Sequence, residues 1–172
     1  MHIKDLMRLP AGHPPSPYNF PLPLQRNGKW GEGRLPDDFE LFVVGWLGNS
    51  VPIRGKVHTE CLDALFEAFI AGRIFTDGTS GFHNCELCSR ENEWYPNGQV
   101  GPVIQLRGEH LRVRGHGHYL LRYANRVYIS PALLLHYILD HEYKPPDEFI
   151  LAAREGEFLV QTDLNWIENL AC

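Results

Sequence analysis

The chain has 172 residues, of which 44% are hydrophobic and 22% are charged, as in ordinary soluble globular proteins. Its formal net charge of −5 argues against attraction of the whole chain to nucleic acid or to anionic membranes. No apolar run approaches the roughly 18 residues of a membrane-spanning helix, and residues 1–17 lack the apolar core of a signal peptide, so we expect a cytoplasmic protein without membrane contact.

The first 36 residues are rich in proline, with seven of the thirteen prolines of the chain. Such a composition is typical of extended polyproline-type backbone. We therefore predict a Pro-rich arm at residues 1–36, lying along the domain surface or along a partner, and a single domain at residues 37–172.

The first predicted elements of the domain are a strand and a helix. The β-rich apolar run at residues 39–48 predicts a buried strand. Thr59 is suited to be an N-cap, and apolar residues from Cys61 onward follow at helical spacing until Gly72 ends the helix. Cys61 lies on the apolar face of this helix, which favours a buried thiol.

The second half of the domain is predicted to contain short strands and then helices. Ser130 and Pro131 form the pattern of an N-cap and a first helical residue, which predicts a helix reaching His141. The fold class is therefore α+β, with helices around a small antiparallel sheet. The remaining predicted elements are strands at about 102–107, 110–114, 118–123 and 126–130, and helices at 147–155, stopped by Gly156, and at 162–170.

The pair Cys85 and Cys88, two of the four cysteines, has the spacing of half a tetrahedral zinc site. A chain without an export signal is not expected to contain structural disulfides. Haem attachment requires histidine where this chain has Ser89, and no amphipathic helix follows the pair as in redox dithiols. We therefore predict that these thiolates bind zinc, in a treble-clef-like knuckle.

Two histidines are the predicted partners of this pair. His83 precedes Cys85 by two residues, so an extended backbone places both side chains on one face. His136 faces inward among the apolar residues of the following helix. The predicted ligands are therefore His83, Cys85, Cys88 and His136, and a site with two thiolates favours a structural role.

The fourth ligand has alternatives. His141 is one, and the pair His58 and Cys61, which has metal-like spacing, is another. Positions 136 and 141 lie about 140° apart around a continuous helix. We therefore expect that His136 and His141 do not bind the same ion.

The motif Gly-Phe-His-x-Cys-x-x-Cys at residues 81–88, followed by His-Tyr…His-x-Tyr-x-Pro-Pro-x-Glu-Phe at residues 136–149, resembles a group of small uncharacterised bacterial proteins. The resemblance covers about residues 40–153 and leaves out the arm and the last 20 residues. It implies a bacterial, cytoplasmic, zinc-bearing domain without a known activity. An immunity-type binding role is further implied by relatives near toxin or defence genes.

A zinc-stabilised binding protein without catalysis is the favoured function. Residues 35–103 and residues 131–172 each carry a net charge of −6, which suits a basic protein partner such as a toxin or nuclease. Three tryptophans outside the clear core runs, Trp30, Trp94 and Trp166, are candidate partner anchors.

The alternative function is a metal-dependent nuclease of the HNH type. Its chemistry requires a strand histidine as base, an asparagine that orients it and a helix histidine on the metal, and His110, Asn125 and His136 occur in that order. The arginine-rich strands at residues 107–126 are where nucleic acid would bind.

Three further histidines form a group, His110, His116 and His118, whose role the sequence leaves open. We expect them to lie in a solvent-facing loop. A second metal site is the alternative, because His116 and His118 alternate and therefore share a face of an extended chain.

Overall fold

The computed structural model describes residues 4–9, 25–26, 29–30, 40–48, 53–74, 85–88, 101–113 and 117–159. Within these ranges the chain forms three helices, a mixed five-stranded sheet and two two-stranded sheets, so the predicted α+β class is confirmed. The elements are β1 (Met7–Leu9), β2 (Gln25–Arg26), β3 (Lys29–Trp30), β4 (Glu40–Val43), α1 (Thr59–Ile70), β5 (Val103–Leu106), β6 (Glu109–Arg112), β7 (His118–Tyr123), β8 (Arg126–Pro131), α2 (Leu134–Asp140), α3 (Asp147–Glu155) and β9 (Glu157–Phe158).

The five-stranded sheet has the order β1-β4-β8-β7-β9. Its neighbours are antiparallel except for β4 and β8, which run parallel with Leu41 beside Val127. The prediction of an antiparallel sheet was therefore wrong for this pair. A parallel pair requires a long crossover, and α1, the cysteine pair and the β5–β6 hairpin all lie between these strands.

Both faces of the central strands are buried. On one face, Tyr128 packs edge-on against Phe149 of α3, with ring centroids 5.8 Å apart. This face belongs to the hydrophobic core that all three helices share. Buried side chains on the opposite face are Leu41, Val43, Leu120, Val127 and Ile129.

Helix α1 forms as its apolar spacing predicts, but its start differs by one residue. His58 is the N-cap, without a side-chain capping bond, and Thr59 is already helical. The helix ends at Ile70 with Ala71 as its C-cap, and the predicted stop, Gly72, follows with φ +69°. Cys61 is buried as expected, and burial raises the pKa of its thiol to about 12.

Helix α2 begins later than predicted. Ser130 and Pro131 are the last residues of β8, where they pair with Tyr119 and His118 of β7. Pro131 lies beyond the pairing with β4, which ends at Ile129, so its missing N–H costs no hydrogen bond there. The predicted cap was wrong because strand pairing overrode a local helix signal.

The remaining predictions concern strands β5 to β8, helix α3, the N-terminal arm and a C-terminal helix. Strands β5 to β8 lie close to the predicted positions, and α3 has the predicted bounds with Gly156 after it. Residues 4–9, inside the predicted arm, contribute β1 to the edge of the main sheet. The predicted helix at 162–170 lies outside the described residues.

None of the helices in the described ranges has the length and apolar character needed to cross a bilayer.

Candidate metal centre

Four ligand atoms converge between the cysteine pair and the end of α2. They are the Sγ atoms of Cys85 and Cys88 and the Nε2 atoms of His136 and His141, all within 4.8 Å of one another. Separations are 3.2 Å for Cys85–His141, 3.3 Å for Cys88–His136, 3.5 Å for Cys88–His141 and 3.2 Å for His136–His141. Around a tetrahedral zinc ion, standard bond lengths give about 3.3 Å between two nitrogens and about 3.6 Å between nitrogen and sulfur. These four separations are close to tetrahedral values, so the cluster is compatible with a bound metal ion.

The cysteine pair is held in place by a short turn at residues 85–88, in which both cysteines are half-buried. Between them, Leu87 packs against the hydrophobic core and Glu86 is exposed. Anchoring of Leu87 in the core directs the turn towards α2. The two residues between the cysteines thus allow Leu87 to pack against the core while both sulfurs face the same side.

Helix α2 supplies His136 from its buried side. The neighbouring residues Leu135 and Tyr137 are buried, and the His136 side chain is 2% exposed. Its ring approaches that of His141 edge-on, with centroids 4.8 Å apart. A histidine so enclosed has one accessible direction for its Nε2 atom, towards the cysteines.

The expectation that helical geometry keeps His136 and His141 too far apart to share an ion was wrong. It assumed a continuous helix, whereas α2 ends at Asp140 and His141 is its C-cap, with φ −114° and ψ 7°. Glu142 then adopts φ +55°, so the chain turns back sharply. This turn brings the two Nε2 atoms to 3.2 Å, although a continuous helix would have kept them apart.

Asp140 orients the His136 ring. The Nδ1 atom of His136 lies 2.6 Å from Oδ2 of Asp140, one helical turn away. Because a carboxylate accepts, Nδ1 carries the proton and donates, which leaves the lone pair of Nε2 for a metal. Metal-binding histidines in proteins commonly have such a carboxylate partner.

Without a metal, the environment favours the neutral forms of Cys85, His136 and His141. Burial raises the pKa of the Cys85 thiol to about 12 and lowers the pKa of His136 and of His141. For His136, Asp140 offsets part of this effect. Neutral imidazoles are ready to coordinate, whereas a neutral thiol must lose its proton, so metal binding releases protons.

A known protein family matches this chain from residue 1 onward. A family described as a domain of unknown function, DUF7919, matches residues 1–154. The chain belongs to the DUF7919 family. Membership of an uncharacterised family is thus confirmed, whereas the match gives no information on the metal motifs. The searches of curated proteins and of solved structures each returned no significant match.

The DUF7919 match is longer than the motifs suggested. The resemblance was expected to begin near residue 40, yet the match starts at residue 1 and therefore includes β1. The N-terminal segment thus belongs to the same family unit as the metal centre. Residues 155–172 lie beyond the match.

The predicted ligands of this DUF7919 member are only partly brought together. Cys85, Cys88 and His136 converge, while His83 lies outside the described residues. His141, predicted as an alternative, completes the cluster. The pair His58 and Cys61 does not take part in the cluster found among the described residues, since His58 is exposed and Cys61 is in the core.

The three histidines of the second group have different environments. His110 is exposed on β6, and His116 lies outside the described residues. His118 is 2% exposed at the start of β7, so the expectation of a solvent-facing loop was wrong for it. Burial lowers its pKa to about 4. The pairing of β7 with β8 explains this burial, because it places His118 beside Pro131 in the sheet.

The residues of the predicted nuclease site lie on three different parts of the fold. His110 and Asn125 are exposed, at the β5–β6 hairpin and the β7–β8 turn, and His110 is not among the residues of the described cluster that contains His136. Both ring nitrogens of His136 already face other groups, Asp140 and Cys88.

The described arginines of the basic strands make contacts within the domain. Arg107 bonds Asp63 and Glu67 of α1 and lies over the Phe66 ring, 5.0 Å from its centroid. The others bond Glu157 (Arg122), Glu148 (Arg126) and the Gly101 carbonyl (Arg112), and Arg114 lies outside the described residues. These contacts join the strands to neighbouring elements.

Proposed function

We propose that this chain is a zinc-stabilised binding protein without catalysis, its zinc held by Cys85, Cys88, His136 and His141. The observation that carries the proposal is the ligand set itself. Two thiolates and two imidazoles complete four-coordination, which is the composition of structural zinc sites. Catalytic zinc sites instead keep one position open for water or substrate.

Zinc is favoured over other metals by the chemistry of the donors. Thiolate sulfur disfavours magnesium and calcium, which prefer oxygen ligands. Tetrahedral separations favour zinc over the planar geometry of copper(II) or nickel(II). Free thiols in the described part of the chain also suit a reducing, cytoplasmic setting.

The binding role rests on charge and on the resemblance to bacterial proteins. The two blocks of net charge −6 favour a protein partner with a basic surface, such as a toxin, and an immunity-type role follows from that pairing. Co-purification with basic proteins encoded by adjacent genes tests this part. Formation of a salt-sensitive complex is expected, and no complex with any of them contradicts the binding role.

Metal content tests the zinc site. We expect about one zinc ion per chain by elemental analysis of the purified protein, and loss of zinc in Cys88→Ser. Cys61→Ser is the matched control, because it removes a thiol outside the cluster and should keep zinc. A zinc-free protein, or equal zinc in both variants, contradicts the proposal.

A further inference from the structure

A carboxylate near the N-terminus connects two loops that are distant in sequence. Oδ1 of Asp5 accepts a hydrogen bond from the Gly45 N–H at 2.8 Å. Oδ2 accepts one from the Tyr143 hydroxyl at 2.7 Å, across 138 positions of sequence. One side chain thus joins the end of β4 to the segment after α2.

Tyr143 is tightly coupled to the metal centre. It follows His141 by two residues, its side chain is fully buried, and its N–H donates to the Tyr137 carbonyl at 3.0 Å. Between His141 and Tyr143, Glu142 has φ +55°, a conformation that L-residues adopt only when their surroundings impose it. The position of the Tyr143 ring therefore determines where the turn carries His141.

Asp5 is itself held by the main sheet. Leu6 N–H donates to the Val43 carbonyl at 2.8 Å, and β1 continues from there along β4. Gly45 has φ +80°, which turns its N–H out of the strand direction and towards Asp5. The carboxylate is consequently fixed on one side by the sheet and bonded on the other to Tyr143.

We propose that Asp5 is a positioning residue for the metal centre: through Tyr143 it holds residues 141–143 in the turn that places His141 Nε2 among the ligands. The N-terminal segment thereby slows metal release. This inference rests on the proposed zinc site. It also accounts for a family match that begins at residue 1 and not at the first strand after the arm.

Zinc dissociation from the full chain tests the inference. Zinc-loaded protein is mixed with an excess of the chromogenic chelator 4-(2-pyridylazo)resorcinol, and the rate of zinc transfer is recorded. Asp5→Ala and Tyr143→Phe are each expected to release zinc roughly tenfold faster, since each removes a bond to a carboxylate that supports a ligand loop. The double variant should be no faster than the faster single variant, because both changes remove the same contact.

The control separates this role from general stability. Phe158→Leu weakens the core at β9, the opposite edge of the sheet from β1, and should lower the melting temperature without changing the zinc release rate. Release at the unmodified rate from both Asp5→Ala and Tyr143→Phe, with lowered melting temperatures, would overturn the positioning role alone. An unmodified chain that holds no zinc overturns the proposed function as well. If Asp5→Ala does not fold, Tyr143→Phe, which removes only the hydroxyl, decides the matter.

Discussion

His136 uses its two ring nitrogens for different tasks. Nδ1 donates to Asp140 at 2.6 Å, and Nε2 faces the Cys88 sulfur. Asp140 lies at the last position of α2, where its side chain is 43% exposed and can be replaced without opening the core. The contribution of ring orientation to metal binding is therefore accessible to a single substitution.

Asp140→Ala is expected to weaken zinc binding by about tenfold or more, because His136 loses the group that fixes its tautomer and orientation. Competition with a chelator of known affinity measures the change. Asp147→Ala is the control, since this exposed carboxylate pairs with Lys144 at the start of α3 and does not face the cluster. Equal affinities of the two variants would show that the Asp140 contact does not support the site.

His118 makes the stability of the domain dependent on pH. Burial lowers its pKa from 6.5 to about 4, so between these values the folded chain binds fewer protons than the unfolded chain. The stability that depends on neutral His118 is fully present above pH 6.5. It decreases as the pH falls and is lost once the pH has fallen through about 4. The shift corresponds to a change of about 3 kcal/mol in the free energy of unfolding.

Urea unfolding at pH 7 and pH 4, in excess chelator, tests this expectation for His118→Gln. The variant should lose less stability on acidification than the unmodified chain, by up to about 3 kcal/mol. Effects of acid on His136 and His141 are common to both proteins and cancel. His110→Gln, at an exposed position, should behave as the unmodified chain does. An equal loss of stability between pH 7 and pH 4 in all three proteins would refute the role of His118.

At the scale of elements, the junction between β4 and α2 is close-packed at Gly45. A Cβ atom added there would lie 2.8 Å from Cδ1 of Leu134, the first residue of α2. Gly108, in the β5–β6 turn, has nearly the same φ, +79° against +80°, but open space around it. The two glycines therefore separate steric crowding from backbone strain.

Gly45→Ala should lower the free energy of unfolding by about 3 kcal/mol, and Gly108→Ala by about 1 kcal/mol. Both variants incur the strain of a positive φ, but Gly45→Ala must also displace the tip of the fully buried Leu134 side chain. Chemical denaturation of the two variants gives the difference. Equal losses would mean that the β4–α2 junction yields to the added methyl group without cost.

Elements with strong local signals were predictable from the sequence. Helix α3 has prolines before it and Gly156 after it, and no long-range pairing competes with those signals. Ser130 and Pro131 carried an equally strong signal and were misassigned, because β8 extends through them to pair with β7. The parallel pairing of β4 with β8 depends on tertiary packing and leaves no local pattern in either strand.

The metal centre was predictable to a similar extent. Cys85 and Cys88 follow from their spacing, and His136 follows from its place on an apolar helix face. The convergence of His141 depends on the end of α2 at Asp140 and on the positive φ of Glu142. Neither glycine nor proline occurs at residues 140–143 to mark that turn, so helical geometry was extrapolated one residue too far.

At the scale of the whole molecule, the metal centre joins segments that are far apart in the chain. Cys88 and His136 are separated by 48 positions, which include the β5–β6 hairpin, β7 and β8. A metal ion bound at this junction would fix the cysteine turn to α2. It would thereby stabilise the folded state relative to an unfolded chain that has no preformed site.

Removal of zinc is therefore expected to lower stability throughout the domain. At free zinc roughly a thousandfold above its Kd, the ion contributes about 4 kcal/mol, and its removal should lower the melting temperature by about 10 °C. Thermal unfolding with and without a chelator measures the shift. The chelator should have no effect on Cys88→Ser, and an equal shift in that variant would indicate an action other than zinc removal.

The long separation between the cysteines and their histidine partners also determines when the site is completed during synthesis. Cys88 is made 48 residues before His136, and Cys85 is made 56 residues before His141. At typical elongation rates, the thiols therefore emerge roughly 2 to 10 s before the imidazoles. Strand β4 likewise waits for β8 before the centre of the sheet can form. A newly made chain thus passes through a stage with two uncoordinated thiols and an incomplete sheet, so the proposed zinc ion would be needed only towards the end of its translation.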